Sequence, residues 1–181
     1  MNDQQRFLIR DLPTSPKAFW CVHLPGMPMH DLGKHEVVLH LRTCVEGRGQ
    51  TIAIAKMAEQ HRGLWALFKG ETCPEWLMKE TGMSLQQAHE TLANIETFGI
   101  RVYHKINAIA TNPRWMLGYA AARFRKPNVL VYGTHGMDPM GRRTAHEYMD
   151  VAAENCCVIH MTPTSGPQCP PAATCITLGC D

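Results

Sequence analysis

Sulfur and imidazole are the side chains best placed for chemistry. The chain of 181 residues carries 8 cysteines and 10 histidines, and the cysteines thicken toward its end: Cys156, Cys157, Cys169, Cys175 and Cys180, with His160 among them. Thiolate and imidazole are the usual ligands of four-coordinate zinc. Cys157, His160, Cys169, Cys175 and Cys180 therefore form the candidate metal set, with zinc as the candidate cofactor. Cys157 and His160 have C-x2-H spacing, the later gaps are the looser C-x5-C and C-x4-C, and no C-x2-C pair occurs. On a strand Cys156 and Cys157 point to opposite faces, so only one of them joins a given site. The competing reading is packing, because free cysteine behaves as a small buried hydrophobe. The 11 methionines show no short ligand spacing and read as core filler.

A second group follows the apolar run Asn128 to Gly133. His135, Asp138 and His146 suggest a metal or catalytic cluster there, and Thr134 to Arg143 suggests an anion held at a helix start by backbone N–H groups, Arg142 and Arg143. Neither the G-x4-G-K-[ST] loop nor the G-x-G-x-x-G fingerprint is present. The competing reading is a surface loop.

These residues need elements to hold them. Residues 1–34 are punctuated by Pro13, Pro16, Pro25, Gly26, Pro28 and Gly33 and read as an irregular arm. Val37, Val38, Leu41 and Val45 recur at helical spacing, Thr51 to His61 reads as a second helix, and Leu64 to Phe68 as a helical turn. Thr72 with Glu75 makes a capping box for a helix that Gly82 ends; Ser84 caps another that carries Leu85, Ala88, Leu92, Ile95 and Phe98 and stops at Gly99. Ile100 to Ile106 alternates like a strand, and Trp115 to Tyr119 reads as its return. Val129 to Gly133, a helix from Gly141 to Asn155 and Cys156 to Met161 form a strand, helix, strand unit.

The stretch Cys73-Pro74-Glu75-Trp76-Leu77-Met78-Lys79-Glu80-Thr81-Gly82-Met83-Ser84, followed by Leu92 to Ile100 and a basic hairpin, resembles the winged helix-turn-helix superfamily over roughly residues 60–120. The resemblance implies double-stranded DNA as partner. Ser84, Gln86, Gln87, Glu90 and Thr91 on the recognition helix would face base edges, and Arg101, Lys105 and Arg114 would meet phosphates. Charge distribution agrees with this: net charge is only +2, yet no acid occurs between Glu96 and Asp138 while six cations do, Arg101, Lys105, Arg114, Arg123, Arg125 and Lys126. The competing reading is a solvated polar face.

The expected fold is thus α+β: an irregular arm over 1–34, a helical and winged-helix domain over 35–125, a small α/β segment over 126–161 and a Cys/Pro-rich tail over 162–181. The expected function is a DNA-binding regulator, transcriptional or replication-linked, rather than an enzyme, with homodimerisation open. The alternative is a small α/β enzyme or a metal- and thiol-responsive module built on the C-terminal Cys/His residues. The longest apolar run, Ala108 to Ala122, is broken by Asn112, Pro113 and Arg114, and the first residues lack a signal-peptide core. No membrane segment is expected, and the expected compartment is the cytoplasm, where the cysteines would be mainly reduced.

Overall fold

A computed structural model describes residues 3–24, 29–59, 70–163 and 169–178. The chain forms two compact units, one from residues 1–56 and 126–181, the other from residues 57–125.

The first unit is built on a five-stranded sheet, all parallel, in the order β2-β3-β4-β1-β5. Its strands are β1 (Phe19–His23), β2 (Ile52–Ile54), β3 (Val129–Gly133), β4 (Cys157–Thr162) and β5 (Thr174–Thr177). Its helices are α1 (Asp3–Arg10), α2 (Glu36–Gly47) and the later helix Pro139–Ala153, which becomes α6 in the numbering below. Every residue of β3 and β4 is buried, the continuous apolar pattern of parallel strands covered on both faces. On one face Val22, Val129, Val131, Ile159 and Met161 join a core with Val37, Val38, Leu41 and Val45 of α2 and with Ile9 and Leu12. His35 caps α2, its Nδ1 accepting from the Val37 N–H at 3.3 Å. Asp138 caps α6 by accepting from the Gly141 N–H at 2.7 Å, and Pro139 occupies the first helical turn.

The second unit holds α3 (Cys73–Thr81), α4 (Leu85–Ala93) and α5 (Thr111–Phe124), followed in sequence by α6 of the first unit. The capping signals of this stretch are realised in full. Thr72 and Glu75 form one reciprocal box, Ser84 and Gln87 another, and Gly82 ends α3 with φ of 76°, a left-handed conformation that favours glycine. Trp76, Leu77, Leu92, Ile95, Ile106, Met116, Leu117 and Tyr119 are buried, and the Trp76 indole donates to the Glu59 carbonyl at 2.8 Å.

The α+β winged helix-turn-helix expectation is overturned by the parallel sheet and by the absence of the wing. Trp115 to Tyr119 lies inside α5, not on a return strand. A continuous apolar run has no period that separates helix from strand, and Ala120 to Ala122 extend it as a helix with Pro113 in the first turn. Residues 100–110 form turns and a short 3-10 helix, Ile106–Ala108, and among the described residues their one ladder contact is the isolated Thr72–Lys105 bridge. Ile100 is buried but Val102 and Tyr103 are exposed, so the alternation does not correspond to a sheet face.

Three further expectations change. Residues 51–59 contain β2 rather than a helix, and the arm over 1–34 contains β1, which lies between β4 and β5 in the sheet. The tail contributes β5. The expected turn over 64–68 lies outside the described residues.

Candidate metal centre

The parallel registers align one row of side chains across four strands. Tyr132 of β3 pairs with His160 of β4, His160 with Cys21 of β1, and Cys21 with Cys175 of β5. Paired residues on parallel strands project to the same face, and period-2 alternation places His23 on that face beside Cys21. This face is opposite the one that carries Val22 and Ile159 into the apolar core.

After β4 the chain returns toward the sheet edge through Cys169, with a turn in which the Ala173 N–H donates to the Pro170 carbonyl at 3.0 Å. Cys169 reaches Cys21 as a disulfide, their Cα atoms 5.9 Å apart. The Cys175 thiol lies 3.0 Å from Cys169 Sγ, and His23 Nε2 lies 3.3 Å from Cys169 Sγ and 4.0 Å from Cys21 Sγ. Donor atoms of Cys21, His23, Cys169 and Cys175 all fall within 4.8 Å of one another. Cys21 and His23 are buried, Cys169 is half-buried and Cys175 is exposed on the edge strand.

Three sulfurs and one imidazole nitrogen match the Cys3His set of four-coordinate structural sites. Zn–S bonds near 2.3 Å set tetrahedral sulfur separations of about 3.8 Å, within the span of this cluster once the disulfide is reduced. The same sulfurs cannot be bonded to each other and to a metal as separate thiolates, so disulfide and metal are alternative states.

His160 backs the cluster. Its Nδ1 lies 3.5 Å from Cys21 Sγ and its Nε2 lies 3.2 Å from Thr134 Oγ1. With the Thr134 hydroxyl donating to Nε2, Nδ1 carries the proton and donates toward the sulfur. Burial holds His160 well below the usual histidine range, with His146 and His23 adding to the depression. The imidazole therefore stays neutral. Tyr132 and His146 extend the network, hydroxyl to Nδ1 at 2.8 Å, and the His146 and His160 rings meet edge to face at 4.8 Å.

The expected metal set is met in part. Cys169 and Cys175 belong to the cluster; Cys157 does not, because it is three residues from His160 on one strand and points into the opposite, apolar face. Its thiol sits 3.7 Å from the Pro13 carbonyl, and burial, with Cys156 adding, pushes it up to about 12. His160 contacts Cys21 without being among the four grouped donors. Cys180 lies outside the described residues. Cys21 and His23 are the donors missed, although C-x-H spacing on a strand places both on one face.

The second expected group is dispersed. Asp138 caps α6, His146 pairs with Tyr132, and His135 lines a recess of about 120 Å³ at the carboxyl ends of β3 and β4, together with Thr134, Gly136, Arg142, Thr162 and Pro163. Arg143 is instead paired with Glu147 at 2.9 Å.

The residues expected to read DNA lie in the second unit and have partners there. Ser84 and Gln87 complete their capping box, Gln86 donates to Glu90 at 2.9 Å, and the Thr91 hydroxyl faces Met83 Sδ at 4.0 Å. Arg101 is ion-paired with Glu96, and Arg114 Nε donates to the Ala58 carbonyl at 2.7 Å. The Lys105 side chain runs against Gly70, where an added Cβ would meet its Cδ at 2.8 Å.

Among the described residues no helix is long and apolar enough to cross a membrane. No family model and no curated protein matches the chain. Solved structures do match its fold. One, described as an inward-facing metal-chelate type ABC transporter, is 11% identical with a TM-score of 0.59 over 82% of this chain and 63% of that one. Another, of ribosome-bound archaeal Pelota and ABCE1, is 10% identical with a TM-score of 0.52 over 83% of this chain and 29% of that one. The chain thus spans less than two thirds of either neighbour's length, and at these identities the likeness is one of fold alone.

Proposed function

We propose that the protein is a metal- and thiol-responsive α/β protein whose reduced Cys21, His23, Cys169 and Cys175 hold zinc. The observation that carries this reading is the convergence of four soft donors within 4.8 Å from β1, β5 and the loop between β4 and β5. Bound there, the metal joins the edge strand and the returning loop to the centre of the sheet, a structural clasp with all four positions supplied by protein. Titration of the reduced protein with cobalt(II) tests it. Tetrahedral thiolate ligation gives strong visible and near-ultraviolet bands that saturate at one equivalent, and zinc displaces them. A weak spectrum of octahedral character contradicts the reading.

A second reading, anion binding in the recess at the carboxyl ends of β3 and β4, is favoured by Arg142 and the neighbouring start of α6. Protection against thermal unfolding by inorganic phosphate in the wild type but not in Arg142→Ala tests it. Duplex DNA as a partner has its own test, salt-dependent binding of random duplexes by wild type and an Arg101→Ala, Lys105→Ala variant. The internal pairing of Gln86, Gln87 and Arg101 adds no support to that expectation.

A further inference from the structure

The three sulfurs of the cluster differ in reach. Cys21 lies on the central row of the sheet with no exposed surface, Cys169 is half-buried, and Cys175 is exposed on the edge strand. Cys169 is bonded to the innermost sulfur and lies 3.0 Å from the outermost. Cys175 is therefore a free thiol placed against one sulfur of a disulfide whose other sulfur is closed to solvent.

We infer that this is a relay for thiol–disulfide exchange, in which Cys175 opens the Cys21–Cys169 bond and presents it to an external dithiol. In the first step the Cys175 thiolate attacks Cys169 Sγ. A Cys169–Cys175 bond forms, the Cys21–Cys169 bond breaks, and Cys21 leaves as thiolate and takes up the proton that Cys175 released. No electrons enter the chain in this step; the disulfide moves from the sheet interior to its exposed edge. His160 Nδ1, 3.5 Å from Cys21 Sγ, is placed to donate a hydrogen bond to the departing sulfur. In the second step one thiol of the external dithiol attacks Cys175 and Cys169 leaves. The second thiol of the same molecule then closes its own disulfide and releases Cys175. Two electrons and two protons pass from the dithiol to the chain, which ends with three thiols.

A protein or small dithiol that approaches the edge strand meets the exposed Cys175 ahead of the half-buried Cys169, while Cys21 presents no surface to attack. The relay shares its sulfurs with the metal reading and makes reduction the event that prepares the zinc ligands, but the exchange itself requires no metal.

Partial reduction with limiting dithiothreitol in chelator, followed by acid quench, alkylation and disulfide mapping by mass spectrometry, tests the inference. Wild-type protein is expected to pass through a Cys169–Cys175-linked form with Cys21 alkylated. Cys175→Ser and Cys175→Ala are expected to retain Cys21–Cys169 and to open more slowly by about tenfold or more. Equal opening rates in wild type and both variants overturn the relay, as does a wild-type chain in which Cys21 is never linked to Cys169. Zinc binding is then measured separately on fully reduced wild-type protein. Exchange without zinc uptake supports the relay and defeats only the metal reading, and zinc uptake without exchange does the reverse.

Discussion

Cys21 and His160 face each other in register on neighbouring parallel strands, with Sγ 3.5 Å from Nδ1. This contact links the cluster at the sheet edge to the buried network of Thr134, Tyr132 and His146 at the centre. It makes His160 a positioning group, since it contacts a sulfur of the cluster while its own second nitrogen meets the Thr134 hydroxyl.

Stability of the metal-free protein should therefore fall in mild acid through His160. Its value in the fold is depressed below the ordinary 6.5, so the unfolded chain takes up the proton first. The contribution is complete above about 6.5, declines as pH falls below it, and levels off beneath the folded value, each unit of depression being about 1.4 kcal/mol. The groups that face it are His146 on α6, His23 and Cys21 on β1, Tyr132 on β3 and Thr134 after it. Urea midpoints of wild type and His160→Phe between pH 7.5 and 5 check the prediction: the wild type should lose the larger share.

Cys157→Ala should leave metal uptake at the wild-type level while lowering stability by about 1–2 kcal/mol, the cost of a small cavity in a packed core. Cys157 is fully buried on the opposite face from the cluster. Paired denaturation and metal analysis of the variant separate the two effects.

Ser84→Ala should destabilise the protein by about 1 kcal/mol through loss of the α4 cap, with no change in metal content. Its hydroxyl accepts from the Gln87 N–H at 3.3 Å while Gln87 Oε1 accepts from the Ser84 N–H at 2.9 Å. Gln87→Ala should cost less, since it removes only the reciprocal half of the box. Thermal unfolding of both variants, read against metal content, checks this.

Local signals in the sequence were strong where they were chemical. The capping residues of α3 and α4 were legible, Thr72 with its Glu75 partner and Ser84 alone, because a Ser or Thr followed three residues later by Glu or Gln has few other uses; the His35 cap of α2 carries no such signature. The strand, helix, strand unit over 126–161 was legible too. The global fold was not, because sheet order is a long-range property: nothing local in Phe19–His23 indicates that it lies between β4 and β5. That one misplacement hid half of the candidate centre. Cys169 and Cys175 were visible in a cysteine-rich tail, whereas Cys21 lies 148 residues from Cys169 and meets it only through the sheet. The winged-helix reading failed on Trp115 to Tyr119, an apolar run without the period that would have marked it as helix.

The proposed role of the cluster is to hold one metal ion through four protein donors. Zinc content per chain of the reduced, full-length protein, measured after exhaustive removal of loose metal, tests it most directly. One zinc per chain is expected in the wild type and in Cys157→Ala, and its loss in Cys21→Ser and Cys169→Ser. Folded, reduced wild-type protein without zinc, or zinc retained at wild-type affinity in both of those variants, would contradict it.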